Sequence, residues 1–352
     1  MKLLIIGNNS RFFHLKEFGD ELKKMGEEYK LIYDVDFLTR FSNFNRKSRR
    51  YDDFNKVLND FKPDVVLLDR VSNIALPVLK AGIPLFLLLR GNYWEEARWA
   101  KRTLYNSLQK RFYFFMKQRL IDKYFKESTL ILPISKYLDA IVREHYPNKS
   151  IEMWYADGRN ALDWYPQKGM SLKHPCVGLL QGANIWEKTK EMLTLAKVME
   201  AMPNVMFYWA GDGPYRNQVL PALEKYDNFK WLGSLQYPDQ VRQFLTEIDV
   251  YALFSGLEGL GQTIIEASFM KKPIISTNVG GIPELIEDSK TGFLVEKQNS
   301  DEIIEKINTL VNNDDQRKQM GILGRSFIEK NFNWEIIAKK FSDIMNSYLD
   351  KK

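Results

Sequence analysis

The chain has 352 residues, of which 45% are hydrophobic and 13% aromatic, and its formal net charge is +6. This composition excludes a disordered protein, and the length favours two domains because a single hydrophobic core stops growing at a smaller size. The only cysteine, Cys176, excludes an intramolecular disulfide and favours a reducing compartment. No apolar run has the length of a signal peptide or a membrane span. We therefore expect a cytoplasmic protein.

Short apolar runs alternate with helical patterns through the first half of the chain. The runs are near-continuously apolar, which is typical of buried parallel strands, and they read KLLIIG, YKLIYDVD, PDVVLLD, IPLFLLL and STLILPIS. The helical patterns between them are FHLKEFGDELKKMG, RYDDFNKVLNDFK and NIALPVLKAG. Ser135 is placed to cap one more helix, over KYLDAIVREHY. The order predicts a Rossmann-like domain over residues 1–160.

The same alternation restarts after a polar stretch rich in glycine and proline, which predicts a linker at about residues 158–172. The predicted strands are CVGLLQG, VMFYWAG, FKWLG, DVYALF, PIISTN and GFLV, and the helices are KTKEMLTLAKVMEAM, YPDQVRQFLTEI, TIIEASFMKK and SDEIIEKINTLVNN. We predict a second Rossmann-like domain over 173–334 and a helix over 335–352 that links the two. Doubly wound domains bind ligands at the carboxyl ends of their strands, so two of them are expected to face each other across a cleft.

The positive charge is concentrated in two runs of the first half, residues 40–50 and 98–119. The second run alternates aromatic residues with arginine and lysine, as a helix at a membrane interface does. A helix that packs its aromatic residues into the core and solvates its charges would have the same pattern, and both interpretations stay open. Nucleic acid is a weaker interpretation, because no known binding module accompanies the charge.

The stretch LEGLGQTIIEASFMKKPIISTNVGGIPELI, residues 257–286, places two glutamates around a glycine-rich turn that leads into a helix. The first N–H groups of such a helix have no intrahelical partner and can bind an anion. An ionised carboxylate only accepts hydrogen bonds, so Glu258 and Glu266 suit the hydroxyl groups of a polyol. The stretch therefore predicts a ligand that is part phosphate and part sugar.

These motifs give the second half a resemblance to the retaining family-4 glycosyltransferases, which have the GT-B fold of two Rossmann-like domains. The resemblance extends from about Val177 to Trp334, whereas the first half matches only in the rhythm of its elements. It is carried by EGLGQTIIEA, in which seven residues separate the glutamates, and by KPII, GGIPELI and TGFLV after it. It implies an α/β protein that transfers a sugar from a nucleotide-diphosphate sugar to an acceptor.

The resemblance also implies roles for single residues. Glu266 would hold the ribose and Glu258 would face the donor sugar, while Lys188 would bind the diphosphate. The remaining positions expected to contact the donor form the turn at the distal phosphate and the nucleotide pocket: Gly261, Gln262, Thr263, Gly211, Gly213, Gly182 and Asn184. We expect no metal and no other cofactor, because the three histidines are scattered and show no ligand spacing. Cys176 opens a buried strand and is interpreted as a core residue.

The chain departs from the family pattern at two positions. Ala183 stands where the family has an arginine that clamps the diphosphate together with the lysine, and this is not a conservative change. The histidine of the family's first domain is replaced by Arg90, which we expect in the cleft as a catalytic residue that restores positive charge near the phosphates.

The predicted function is retaining glycosyl transfer to an acceptor hydroxyl, in the biosynthesis of a polysaccharide or another cell-envelope glycan. We expect a lipid-linked saccharide as acceptor, with the enzyme peripheral on the inner face of the membrane through the basic and aromatic run 98–119. Two alternatives stay open. One is a nucleotide-sugar epimerase of the same fold, and the other is a non-catalytic protein that binds sugar nucleotides. A dehydrogenase is excluded because neither half has the Gly-x-Gly-x-x-Gly pattern after a strand.

Overall fold

The computed structural model describes residues 1–37, 44–105 and 107–349. Part of the basic run 40–50 and the last residues of the predicted segment 335–352 lie outside this range. The chain divides into two compact units. Residues 1–158 and 334–352 form the first unit, and residues 159–333 form the second. Of the residues predicted as a linker, 158–172, all but the first therefore belong to the second unit, and the terminal helix belongs to the first.

The first unit is a parallel sheet of five strands in the order β2-β1-β3-β4-β5. The strands are β1 Lys2–Gly7, β2 Glu28–Tyr33, β3 Val65–Leu68, β4 Leu85–Leu89 and β5 Leu130–Pro133. The helices are α1 Phe12–Lys24, α2 Phe44–Phe61, α3 Ala75–Lys80, α4 Tyr93–Thr103, α5 Leu108–Glu127, α6 Lys136–His145 and, from the end of the chain, α14 Trp334–Leu349. The predicted strands are confirmed, and β3, β4 and β5 are buried throughout, as their continuous apolar sequence requires.

The second unit is a parallel sheet of six strands in the order β11-β10-β9-β6-β7-β8. The strands are β6 Cys176–Leu180, β7 Met206–Ala210, β8 Phe229–Gly233, β9 Val250–Leu253, β10 Ile274–Thr277 and β11 Gly292–Val295. The helices are α7 Trp186–Thr189, α8 Leu195–Ala201, α9 Arg216–Leu223, α10 Asp239–Glu247, α11 Gln262–Phe269, α12 Ser300–Val311 and α13 Asp314–Phe332. Two parallel α/β sheets confirm the predicted fold class.

Several local predictions need correction. The sequence predicted one helix over 188–202, but a 3-10 segment at Lys190–Thr194 separates α7 from α8. Strand β2 ends at Tyr33, and Asp34–Asp36 form a 3-10 turn instead of the strand end. The run 98–119 belongs to two helices, because α4 ends at Thr103 and Ser107 caps α5 by accepting a hydrogen bond from the N–H of Lys110. The predicted cap at Ser135 is confirmed by a bond from the N–H of Leu138.

Candidate active site

Two of the predicted catalytic residues meet at the carboxyl edge of the second sheet. Lys188 lies on α7, which follows β6, and Glu258 lies in the loop that follows β9. Lys188 Nζ and Glu258 Oε2 are 3.1 Å apart, and the two side chains keep 24% and 15% of their surface exposed. The ion pair is therefore partly open to solvent, and an anionic ligand can reach the ammonium group.

A buried glutamine fixes the loop that carries Lys188. Gln181 comes directly after β6, and its Nε2 donates to the carbonyl oxygens of Lys188, at 3.2 Å, and Phe254, at 2.9 Å. The side chain is almost fully buried, so these bonds are shielded from water. They tie the loop after β6 to the end of β9, which is the strand that leads to Glu258.

The Gly280–Gly281 pair supports the loop of Glu258 from the other side. A Cβ atom on Gly280 would lie 1.8 Å from the carbonyl oxygen of Glu258, and Gly280 has a φ of +57°. A Cβ atom on Gly281 would lie 2.3 Å from the carbonyl oxygen of Gly259. Only glycine allows the two backbones to approach so closely. The pair therefore positions Glu258, whose Oε1 also lies 3.1 Å from the hydroxyl of Ser255.

Helix α11 begins immediately after this loop and presents its N-terminus there. Gly261 precedes it in the left-handed conformation, with a φ of +99°, and no side chain caps the helix. The N–H groups of its first turn, at Gln262 and Thr263, have no intrahelical acceptor and suit an anion. The sequence predicts the distal phosphate at this turn, and that role stays a prediction.

Tyr251 on β9 lies beneath this helix end and was not predicted as a site residue. Its hydroxyl is 2.5 Å from Thr263 Oγ1 and 3.4 Å from the carbonyl oxygen of Leu180. Burial raises the pKa of Tyr251, so the hydroxyl stays protonated and acts as a donor. A tyrosine inside a buried strand has the sequence signal of a core residue, and only the contact with Thr263 reveals its connection to the site.

Glu266 is buried and paired, which the sequence did not predict. Its Oε1 accepts a hydrogen bond of 2.5 Å from Arg159 Nη2, and Arg159 is fully buried at the start of the second unit. Within the part of the chain that the structure describes, Oε2 of Glu266 accepts no hydrogen bond from another residue. Arg159 thus holds one carboxylate oxygen of Glu266 in place.

The comparisons with known proteins agree with this geometry. Residues 183–347 match the family model described as glycosyl transferases group 1. This segment belongs to that family. An uncharacterized glycosyltransferase of Methanocaldococcus jannaschii is 28% identical over 260 residues, which is 73% of this chain and 66% of that protein. The GDP-mannose-dependent monoacylated alpha-(1-6)-phosphatidylinositol monomannoside mannosyltransferase of Corynebacterium glutamicum is 29% identical over 44% of this chain and 42% of its own length.

A solved structure extends the likeness to the whole chain at the level of the fold. The Anabaena protein HepE, in complex with UDP and glucose, has a TM-score of 0.74 and 14% sequence identity to this chain. The match covers 99% of this chain and 100% of the other. The GT-B fold class expected from the motifs is confirmed by this likeness and by the two parallel sheets.

The two loops predicted to line the nucleotide pocket are interlocked. Gly211 and Gly213 follow β7, and Cβ atoms on them would lie 2.0 Å from the carbonyl oxygen of Gln181 and 2.5 Å from that of Ala183. The N–H of Ala183 donates to the carbonyl oxygen of Asp212 at 2.9 Å. Only glycine fits at these two positions, because any Cβ atom would collide with the backbone of the other loop.

The same two loops explain in part why this chain has Ala183 where the family has an arginine. Ala183, which stands at that position, is fully buried in the hydrophobic core of the second unit. Its neighbours Gly182 and Asn184 are exposed. The loop therefore presents the amide of Asn184 to solvent, and position 183 supplies packing instead of positive charge.

The expectation for Arg90 needs correction. Arg90 lies in the first unit, where Nε is 2.5 Å from Asp69 Oδ1 and Nη1 is 3.0 Å from both oxygens of Asp157. Arg11 also pairs with Asp157. Two arginines and two aspartates neutralise each other in this buried network, so Arg90 brings no net positive charge to a phosphate. Its side chain is only 7% exposed.

Proposed function

We propose that this group 1 glycosyltransferase moves a glycosyl group from a nucleoside diphosphate sugar to an acceptor hydroxyl and keeps the anomeric configuration. The observation that carries the proposal is the partly open Lys188–Glu258 pair at 3.1 Å, in which Glu258 belongs to the loop that leads into the N-terminus of α11. An ammonium group and the backbone N–H groups of a helix N-terminus suit a diphosphate, and carboxylates suit sugar hydroxyls.

In the proposed reaction, the bond between the anomeric carbon and the diphosphate oxygen breaks, and a bond to the acceptor oxygen forms. The proton of the acceptor hydroxyl leaves with the diphosphate. Negative charge grows on the leaving group, where Lys188 and the N–H groups of Gln262 and Thr263 stabilise it without reorganising. Glu258 orients the sugar and Glu266 holds the ribose, so neither carboxylate acts as a nucleophile.

The relatives support the donor class. The mannosyltransferase of Corynebacterium glutamicum is named for GDP-mannose, and the structure of HepE contains UDP. The two bases differ, so our proposal for this chain names a nucleoside diphosphate sugar and leaves the base to the experiment. Retention of configuration, as in family-4 enzymes, belongs to the same proposal.

The experiment is a titration of the protein with a panel of nucleoside diphosphates, followed by transfer assays with the sugar nucleotides of the base that binds. We expect one base to bind best and the product to keep the anomeric configuration by NMR. Turnover should continue in excess EDTA, because the N–H groups and Lys188 replace a metal. Conversion of the donor sugar without an acceptor would identify an epimerase, and binding without any turnover would identify a binding protein.

The surface of α5 supports a lipid-linked acceptor. Its first three turns expose four apolar side chains at helical spacing, Leu108, Phe112, Phe115 and Met116, with exposures from 50% to 84%. Among the described residues, α4 and α5 also expose six cations: Lys101, Arg102, Lys110, Arg111, Lys117 and Arg119. No helix in the described ranges has the length and apolar character needed to cross a membrane. Exposed apolar side chains together with cations suit the interface of an anionic membrane, whose inner face would hold the acceptor.

Vesicle co-sedimentation tests this docking. The wild-type protein should sediment with vesicles that contain anionic lipid and leave them at high salt, because each cation near the surface contributes about 1 kcal/mol. A variant with Lys101, Arg102, Lys110 and Arg111 changed to Gln should stay in solution. The matched control changes four exposed lysines elsewhere in the first unit to Gln and should still sediment: Lys23, Lys30, Lys56 and Lys80.

If the wild-type protein ignores anionic vesicles at low salt, the exposed stripe has another role and the acceptor is soluble. If the control variant also stays in solution, net charge alone explains the binding. The transfer assay is independent of both results, so a failure of membrane docking leaves the proposed chemistry to its own test.

A further inference from the structure

A cluster of metal-binding side chains lies at the amino-terminal edge of the second sheet, away from the carboxyl edge that carries Lys188 and Glu258. Cys176 is the first residue of β6, His174 comes two residues before it, and Asp249 directly precedes β9. The N–H of Cys176 donates to Asp249 Oδ2 at 2.8 Å. Adjacent parallel strands thus bring residues together that are far apart in sequence.

The distances within the cluster are close to those of a zinc site. His174 Nδ1 is 2.8 Å from Asp249 Oδ2 and 3.7 Å from Cys176 Sγ, and all three donor atoms lie within 4.8 Å of one another. Ligand atoms of a tetrahedral Zn²⁺ site are about 3.4–3.6 Å apart, given the usual bond lengths. Small shifts of the three side chains would therefore make a common coordination sphere.

A fourth residue orients the histidine. His174 Nε2 faces Glu247 Oε1 at 3.0 Å. Histidines that bind metals almost always donate their second ring N–H to a carboxylate or carbonyl group, which leaves the other nitrogen for the metal. Nδ1 faces Asp249 at 2.8 Å, so a metal that takes Nδ1 would replace this hydrogen bond while Glu247 keeps the proton on Nε2.

The ligand types select the metal, and the exposure provides a route for it. A thiolate with an imidazole and one carboxylate favours zinc over magnesium or calcium, which prefer oxygen ligands. The His174 side chain is 41% exposed, so an ion and a water ligand can enter from its side, whereas Cys176 is buried.

Two cations also face the cluster. Lys272 Nζ donates to the carbonyl oxygens of Thr246 and Ile248, both at 2.7 Å, and Arg317 is 4.0 Å from Asp249 and 2.6 Å from Asp314. With zinc bound, the thiolate, Asp249 and Glu247 would offset all but one of the positive charges of Lys272, Arg317 and the metal.

We propose that His174, Cys176 and Asp249 bind one Zn²⁺ ion, with Glu247 as the hydrogen-bond partner of His174. The ion would join the segment that enters β6 to the segment that enters β9, at the edge of the sheet opposite the active site. Its role is therefore structural. When the metal binds, the Cys176 thiol releases its proton to solvent, and so does Nδ1 of His174 where the ring is doubly protonated between its two carboxylates.

Cobalt titration of the full chain, stripped of metal with a chelator that is then removed, tests the proposal. We expect one Co²⁺ per chain with a thiolate-to-metal charge-transfer absorption, which equimolar Zn²⁺ abolishes by displacement. Cys176→Ala should lose the absorption, and His174→Gln should weaken cobalt binding at least tenfold. His145→Gln is the control, because His145 stacks on Trp94 in the first unit and should leave the titration unchanged.

Absence of the charge-transfer absorption in the wild-type protein would overturn the proposal, and so would its persistence in Cys176→Ala. Because His174 is exposed, His174→Gln should fold normally, which circular dichroism and unchanged binding of a nucleoside diphosphate verify. A cobalt affinity equal to that of the wild type in this folded variant would remove His174 from the site and contradict the proposal.

Discussion

The two units place charged side chains at the carboxyl ends of similar parallel sheets and use them differently. In the first unit, Arg11, Arg90, Asp69 and Asp157 bind one another in the interior. In the second unit, Lys188 and Glu258 form a pair that is partly open to solvent, beside a helix N-terminus without a side-chain cap. Both sets come from loops that follow strands, so location in the fold does not distinguish them.

Burial and balance of charge distinguish them. A buried network that is already neutral stabilises the loops it connects, and a ligand would have to disrupt it to bind its charges. A pair at the surface can exchange partners when an anion arrives, at small cost. We therefore assign the first set to structure and the second to catalysis, and each of the following predictions tests this division.

The largest effect is expected in the first unit. Arg90→Met should lower the free energy of unfolding by about 3–5 kcal/mol, because Asp69 and Asp157 lose a shared buried partner. Urea denaturation measures the change. Nucleoside diphosphate binding by the second unit should persist in the folded variant. The control is Lys126→Met, which removes an exposed pair with Asp122 and should cost less than about 1 kcal/mol.

If Arg90→Met instead lowers turnover and leaves the unfolding transition unchanged, Arg90 acts on the substrate and the division between the units fails. In that case the original expectation from the sequence, a catalytic arginine, would be restored. The same measurement thus decides between the two interpretations of this residue.

The second effect concerns Lys188. Lys188→Met should reduce kcat by about 10²–10³, because one preorganised donor to the leaving diphosphate is lost. Stability should change little, since the pair with Glu258 is partly exposed. Steady-state kinetics with the preferred sugar nucleotide measure the loss. Lys190→Met is the matched control, because Lys190 lies two residues away and pairs with Glu187; its kcat should stay at the wild-type value.

The sequence predicts contacts between residues that are close in the chain and misses buried contacts between residues that are far apart. The stretch 257–286 specifies its site locally, since the glycines, both glutamates and the start of α11 follow one another in the chain. The buried networks depend on residues far apart, and Arg159 reaches Glu266 across 107 positions. A lone arginine in a polar stretch carries no signal of that contact, and neither does Tyr251 inside an apolar strand.

The third effect is expected for Glu266, which is buried like the network of the first unit but belongs to the proposed site of the second. Glu266→Gln should weaken binding of the nucleoside diphosphate by about 1.5–3 kcal/mol, because a charge-assisted acceptor for the ribose hydroxyls becomes neutral. The amide oxygen still accepts a bond from Arg159, so the variant should fold. Calorimetry on the folded protein provides the affinity, and Glu305→Gln on α12 is an exposed control. Unchanged affinity would remove Glu266 from the ribose site.

The smallest effect is expected for Tyr251, which acts through Thr263 and touches no substrate. Its hydroxyl stays protonated and is 2.5 Å from Thr263 Oγ1, so it orients the Thr263 hydroxyl toward the N-terminus of α11. Tyr251→Phe should raise the activation free energy by roughly the value of one hydrogen bond, about 0.5–1.5 kcal/mol. This lowers kcat, and KM for the acceptor should stay unchanged. The control is Tyr208, another buried tyrosine of this sheet, whose hydroxyl accepts a hydrogen bond from the N–H of Lys173; Tyr208→Phe should leave kcat unchanged.

A double-mutant cycle separates positioning from a general loss of packing. If Tyr251 works through Thr263, Tyr251→Phe should have no further effect on kcat in a Thr263→Val background, because the hydroxyl it orients is already absent. Additive losses would mean that Tyr251 contributes to the stability of β9 and not to the position of Thr263. In that outcome the buried Tyr251 would have no part in the proposed active site of the second unit. The difference between that site and the buried network of the first unit would then be larger.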